Sequence, residues 1–188
     1  MGRPWTWRVF AAAVVGFGIL AAACSGGKTN APPSTPPTAS ATTPTPSARS
    51  LLPATPDALP SFDLTTFREL LGQLKGTPVV VNVWASWCGP CTAEAPHLAA
   101  VSRETKGKVQ FIGVDIMDQR APARAFIQRY GWTYPSVFDP SGAIRDGLGF
   151  IGQPVTVVFD PAGKQVFQWS GAVSGDVLRN ELKTLGAI

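Results

Sequence analysis

The chain has 188 residues, 45% hydrophobic and 15% charged, which allows one ordinary domain with an appendage and excludes two full domains. Sixteen Lys and Arg against twelve Asp and Glu give a net charge of +4, and without Arg3 and Arg8, which precede an apolar run, the count is fourteen against twelve. The other cations are scattered from Arg49 to Lys183, so no nucleic-acid partner is expected, because phosphate neutralisation needs a clustered basic face.

Met1 to Arg8 carries two arginines and no acid, and Val9 to Ala23 is apolar or small throughout. A helix needs roughly 20 residues to cross the hydrocarbon core, so this run is short for a span and fits the hydrophobic region of an export signal over residues 1–23. It ends Leu20-Ala21-Ala22-Ala23-Cys24, which resembles the lipobox of bacterial lipoproteins. The resemblance implies that the thiol of Cys24 is lipidated and becomes the first residue after cleavage. Ala21 departs from the pattern, which prefers Leu there. A plain secretory signal cut near Ala23, or an uncleaved anchor, are the alternatives. The chain has three cysteines, an odd number, and lipidation explains the one left over. On each of these readings the folded part lies outside the cytoplasm.

Ser25 to Ser50 is almost entirely Pro, Ser, Thr and Ala, with no Val, Ile, Leu, aromatic or acid. Such a stretch buries too little apolar area to offset its ordering entropy. Residues 25–58 are therefore expected to be a disordered tether. The Pro-rich part would reach roughly 80 Å as polyproline II and about 30 Å as a flexible coil.

From Leu59 to Ile188 the pattern is that of one domain. Asp63 or Ser61 can cap a helix with apolar positions Leu64, Phe67, Leu70, Leu71 and Leu74, stopped by Gly76. Pro78 to Trp84 is a continuous apolar run, as in a buried central strand. A helix follows Cys88 towards Thr105, then a strand over Val109 to Ile116. Strand, helix, strand of this length predicts a parallel βαβ unit. Next come a helix over Ala121 to Tyr130, a short strand over Tyr134 to Phe138 and a short helix over Ser141 to Leu148. Val155 to Phe159 and Gln165 to Trp169 flank the turn sequence Asp160-Pro161-Ala162-Gly163-Lys164 and predict an antiparallel hairpin. Ser174 can cap a last helix ending at Gly186. The sum is an α/β fold, a mixed central sheet with helices on both faces.

Trp87-Cys88-Gly89-Pro90-Cys91 sits directly after the buried strand, at the start of a helix. The free N–H groups and the positive end of the helix dipole favour a thiolate at Cys88, which makes it the attacking sulfur. Cys91, one turn deeper on the same face, is placed to resolve a mixed disulfide. Gly89 would permit the tight turn, and Pro90 presets the first helical φ. The competing readings are weaker. Zinc needs a second ligand pair, and His97 is the only histidine. Haem attachment needs a His where Thr92 stands. A structural disulfide would close a tiny loop and add little stability. No metal site and no organic cofactor are expected. Asp115, Asp118, Asp139 and Asp160 lie at strand ends and turns and are assigned local hydrogen bonding.

Val79 to Cys91, reading VVVNVWASWCGPC, resembles the active-site strand and helix start of thioredoxin-fold proteins. It is similar in particular to the extracytoplasmic TlpA/ResA/DsbE group of thiol–disulfide oxidoreductases. Cys91-Thr92-Ala93-Glu94-Ala95-Pro96 resembles that group's Cys-x-x-Glu-x-Pro continuation, and Gly152-Gln153-Pro154-Val155-Thr156 resembles the segment holding the fold's cis-proline. The resemblance implies a cis bond before Pro154, with the backbone of Gln153 presented to an extended client. Asn82 stands where cytoplasmic thioredoxins carry a buried Asp. Glu94, one turn beyond Cys91, is the candidate to exchange the proton of Cys91 in its place. Trp87 is expected to shape the docking surface, while Trp84, Trp132, Tyr134, Phe150 and Trp169 are assigned to core or groove wall.

The function these readings imply is a membrane-tethered extracytoplasmic thiol–disulfide oxidoreductase. Its implied partners are exported protein thiols and disulfides, apocytochrome c among them. A membrane thiol-transfer protein would supply electrons, since thiols are not kept reduced by default outside the cytoplasm. The reductive direction competes with a disulfide-forming oxidant. A thiol-based metal carrier, a peroxidase and a non-catalytic peptide-binding module are the further rivals. The peroxidase reading lacks the Thr three residues before the first cysteine, where Ala85 stands.

Overall fold

The computed structural model describes residues 49–188. The export signal, Cys24 and residues 25–48 of the tether lie outside the described residues. Among the described residues, no helix is long and apolar enough to cross a membrane.

Helix α1 spans Leu64–Gln73 and starts where Asp63 accepts a hydrogen bond from the Thr66 amide at 2.7 Å. Strand β1, Val79–Trp84, is buried at every position. It is followed by α2, Gly89–Glu104, then β2, Gln110–Ile116, and α3, Arg120–Tyr130. Helix α3 ends on Gly131, whose φ of 62° lies in the left-handed region that glycine enters without a Cβ clash. Strand β3, Ser136–Asp139, and the short α4, Ala143–Gly147, lead to the hairpin of β4, Val155–Phe159, and β5, Gln165–Ser170. Helix α5, Gly175–Thr184, is capped by Ser174, whose side chain accepts from the Val177 amide. Each predicted element is present, with ends within two residues of the expected ones.

The sheet order is β3-β2-β1-β4-β5. β1, β2 and β3 are parallel, β4 is antiparallel to β1, and β5 is antiparallel to β4. Side chains alternate along β1. Val79, Val81 and Val83 pack with Phe67 and Leu70 of α1 and Ile144 of α4. Val80 and Trp84 pack on the opposite face with Leu98 of α2, Phe126 of α3 and Leu178 of α5. Helices thus cover both faces, as the sequence predicts, and β1, covered on both sides, requires the unbroken apolar run that marks it.

The ordered part begins earlier than residue 59. Gln73 accepts from the Leu51 amide at 2.9 Å and donates to the Arg49 carbonyl at 3.2 Å, and Arg124 donates to the Asp57 carbonyl at 3.0 Å. Leu51 and Leu52 pack against the core beside α1. The expected tether therefore ends about ten residues sooner, because two adjacent leucines supply the apolar area that the Pro, Ser and Thr before them lack. Removing residues 1–58 is expected to lower stability by about 2 kcal/mol relative to removing residues 1–48, the burial value of two half-covered leucines. Urea unfolding of the two truncated chains checks this.

Candidate active site

The turn from β1 into α2 carries the cysteines. Cys88 is the N-cap of α2 with extended backbone, φ −84° and ψ 112°, and its sulfur accepts a hydrogen bond from the Cys91 amide at 3.2 Å. Cys88 and Cys91 are joined by a disulfide with Cα atoms 5.2 Å apart. Both sulfur-bearing residues are buried, Cys91 more completely, while Trp87, Gly89 and Pro90 around them are exposed. Gly89 is the first helical residue and has no positive φ, and a Cβ there would meet nothing within 4 Å. The turn therefore does not draw on glycine's conformational freedom at this position. Pro90 occupies the first turn, where its missing N–H leaves no partner wanting. Pro96, inside α2, has no N–H to offer the Thr92 carbonyl. His97 is exposed on α2, and the described residues contain no cluster of three metal-ligating side chains.

Glu94 lies one turn beyond Cys91 and is 1% exposed. One carboxylate oxygen accepts from Asn82 Nδ2 at 2.7 Å, and the other accepts from the Val173 amide at 2.9 Å. Burial raises its pKa from 4.5 to about 7, against the pull of these two donors. Asn82 also donates to Thr156 Oγ1 at 3.2 Å. The amide thus turns both N–H groups to Glu94 and Thr156, and its oxygen has no partner among the described residues.

The Gln153–Pro154 bond is cis. Val155 pairs with Val83, so Pro154 stands at the end of β1 from which the cysteine turn leaves. The Gln153 side chain accepts from Arg145 Nη1 at 3.3 Å. Trp84 is buried among Phe126 and Trp132, whereas Trp87 is 57% exposed. Trp132, Tyr134 and Phe150 are buried as expected, and Trp169 is partly exposed on the edge strand β5.

A clamp on the cysteine turn was not foreseen. Asp118 accepts from the Ser86 amide at 2.5 Å and from the Ser86 hydroxyl at 3.0 Å, and the Trp87 indole donates to the Met117 carbonyl at 3.1 Å. Met117 is a non-glycine residue at φ 51°, a conformation that costs about 1 kcal/mol or more. That strained residue turns its carbonyl onto Trp87. Asp115, behind the clamp, is fully buried, and as a carboxylate neither of its oxygens has a donor. Burial first, then the charge of Asp118, pushes its pKa up to about 9, and in the protonated form it finds an acceptor in Asp118. Asp115 and Asp118 thus do more than the local turn bonding expected of them. Asp139 and Asp160 do keep to it, on the amides of Gly142 and Ile144 and of Lys164.

A mixed sheet of this order, with a dithiol pair capping the helix that leaves its central strand, defines a thioredoxin-like thiol–disulfide oxidoreductase. The AhpC/TSA family model matches residues 56–167, more than half of the chain, and the chain belongs to that family. It is 31% identical to the thiol-disulfide oxidoreductase ResA of Oceanobacillus iheyensis, over 69% of this chain and 71% of that protein. It is 33% identical to the thiol:disulfide interchange protein DsbE of Haemophilus influenzae, over 66% of this chain and 67% of that protein. The exposed lipoprotein thioredoxin Etrx1 of Streptococcus pneumoniae superposes with a TM-score of 0.54 at 26% identity, covering 61% of this chain and 89% of that one.

Two outcomes follow from the geometry. Asp118→Ala removes two hydrogen bonds to Ser86 and is expected to lower kcat/KM for disulfide reduction roughly tenfold, the value of one charge-assisted bond. Steady-state kinetics test it, and a change below twofold would count against the clamp. Glu94 holds its proton more tightly in the folded chain than in the unfolded one. Its contribution to stability is therefore expected to fall, by about 3 kcal/mol, as pH rises from 4.5 to above 7, on top of the fall that the raised Asp115 carboxyl gives up to about pH 9. Urea unfolding of the unchanged chain and of Glu94→Gln across that window should differ by this slope.

Proposed function

We propose that the protein is a membrane-tethered extracytoplasmic reductant of protein disulfides, with Cys88 as nucleophile, Cys91 as resolving thiol and Glu94 as the proton acceptor of Cys91. The observation that carries this reading is the placement of Cys88 Sγ on the Cys91 amide at the start of α2, with the buried carboxyl of Glu94 further along the same helix. The Cys88 thiolate attacks one sulfur of a client disulfide, forming a mixed disulfide and releasing the other client sulfur as a thiolate, which takes a proton from solvent. Cys91 gives its proton to the Glu94 carboxylate and attacks Cys88. The second client sulfur leaves as a thiolate and takes a proton from solvent, and the Cys88–Cys91 disulfide remains. Two electrons have passed to the client, and a membrane thiol-transfer protein, its own dithiol oxidised to a disulfide, supplies two more to reopen the Cys88–Cys91 bond.

Trp87, Gly89, Pro90, Gln153 and Pro154 are assigned to client binding, with an extended client segment laid along the backbone before Pro154 as an added strand. Apocytochrome c cysteines are the proposed clients, in keeping with the likeness to ResA and DsbE. The tether is assigned to a lipid on Cys24, a reading supported by the lipobox-like sequence and by the likeness to a lipoprotein thioredoxin.

The reductive direction predicts a reduction potential near that of thioredoxin, about −270 mV, while an oxidant would lie near about −120 mV. Equilibration with glutathione measures it. Cys91→Ala in living cells should accumulate mixed disulfides on Cys88, identified by mass spectrometry. Apocytochromes among the trapped proteins support the narrow assignment, and trapping of secreted proteins at large would replace it with a general oxidoreductase. Cys88→Ser is expected to abolish insulin reduction, whereas retention of turnover would remove the enzyme reading.

A further inference from the structure

Gly113 lies in the middle of β2, where glycine costs about 0.5–1 kcal/mol relative to alanine. Its φ is not positive, so its backbone does not require glycine. Space does. A Cβ on Gly113 would collide with Ser136 Oγ and stand 2.7 Å from Trp84 Nε1. Both of those polar atoms are buried and lack a hydrogen-bond partner among the described residues, as do Asn82 Oδ1 and the Tyr134 hydroxyl.

Sheet register gathers these groups. Gly113 pairs with Asn82 on one side and with Ser136 on the other, on the sheet face from which Asn82 meets Glu94 of α2. Trp84 follows Asn82 by two on the same face, and Tyr134 precedes Ser136 by two. The rings close the space, with Trp84 against Trp132, Trp132 stacked on Tyr134 at 4.7 Å and Tyr134 tilted against Phe111 at 5.6 Å. One obligatory donor (the indole), one acceptor (the amide oxygen) and two hydroxyls that do either therefore lie within one apolar wall. Leaving four such groups unpaired would cost about 1–3 kcal/mol each. Their donor and acceptor balance is that of a buried water with three or four bonds.

We propose that Trp84, Ser136, Tyr134 and Asn82 form a buried water-binding site kept open by Gly113, and that this site positions Asn82 and thereby sets the proton affinity of Glu94. The water accepts from the Trp84 indole and donates to Asn82 Oδ1, with the Ser136 and Tyr134 hydroxyls completing its bonds. Held by its oxygen, the Asn82 amide keeps its N–H groups on Glu94 and Thr156. These are positioning residues, not catalytic ones. The inference rests on the assignment of Glu94 as proton acceptor. The titratable groups facing Glu94 are Tyr134, whose phenol is pushed up by burial and by the Glu94 charge, and, once the disulfide is reduced, Cys91. The other donors and acceptors around it are Asn82 of β1, Thr156 of β4 through Asn82, and the Val173 amide before α5.

The test uses the full chain, reduced and oxidised. The Glu94 midpoint is read from its carboxyl 13C shift against pH, and the pH profile of Cys91 alkylation is read in the Cys88→Ser background. Tyr134→Phe and Ser136→Ala are each expected to raise both midpoints by half a pH unit or more, and a high-resolution crystal structure is expected to show water within 3.2 Å of the Trp84 indole and Asn82 Oδ1. Should Tyr134→Phe fail to fold, Ser136→Ala decides alone. Unmoved midpoints in a folded variant, or dry density beside Gly113, overturn the inference. Glu94→Gln separates the two claims. If it leaves the Cys91 profile unchanged, the role of Glu94 fails first. If it shifts the Cys91 profile while Ser136→Ala moves neither midpoint, the water site alone is refuted.

Discussion

The carboxyl of Glu94 ties the active-site helix to the sheet and to the backbone before α5. It belongs to α2, takes its donors from Asn82 of β1 and from the backbone before α5, and reaches β4 through the bond from Asn82 to Thr156. A buried carboxylate is unfavourable, and two donors offset only part of the cost. A contact that seats the active-site helix on the sheet is therefore also an ionisable one, one turn beyond Cys91 on the same helix. Chemistry and stability are coupled at this residue, because whatever changes its proton changes how well α2 is held.

The topology explains why so many separate segments meet above it. β1 and β2 are parallel neighbours, so the turns that leave them emerge at the same edge of the sheet. One turn carries Ser86, Trp87 and Cys88, and the other carries Met117 and Asp118. Three hydrogen bonds close the gap between them. β4 runs the other way and begins at that same edge, which brings Pro154 level with Trp84. The strain at Met117 is local to this junction. A residue held at φ 51° persists only where the surroundings fix it, and here the Asp139 carbonyl on its amide and the Trp87 indole on its carbonyl do so.

Much of this was readable in the amino-acid order because it is local. The apolar run of β1, the periodic leucines of α1, the turn residues of the hairpin and the two cysteines three apart each act over a few residues. Glu94, one turn from Cys91, and the cis bond before Pro154 are both legible because their segments resemble known ones. What was missed depends on register between distant segments. Asp118 looks like any acid after a strand, and only the pairing of β1 with β2 aims it at Ser86, thirty-two residues earlier. Gly113 reads as a weak point in a strand until Ser136 and Trp84 are placed on either side of it. Leu51 and Leu52 sit at the end of a Pro- and Thr-rich stretch whose composition masks them, and their anchorage needs Gln73 of α1 to be in position.

The amide at Asn82 has a further consequence. A titrating group on β1 would face Cys91 across the packing of helix on sheet, and its distance to the sulfur would change with every adjustment of that packing. With Asn on the strand and Glu on the helix, sulfur and carboxyl are three residues apart on one rigid element, so helical geometry alone sets their relation. The strand keeps only an amide there, which donates to Glu94 without ionising. Below pH 7 Glu94 is protonated, comfortable in its apolar surroundings and a poor proton acceptor. Above pH 7 it is ionised, able to take a proton in the role proposed for it, and the fold carries the cost of a buried charge. The working range of such a site is the interval around that midpoint, where neither the seating of α2 nor the deprotonation of Cys91 is given up.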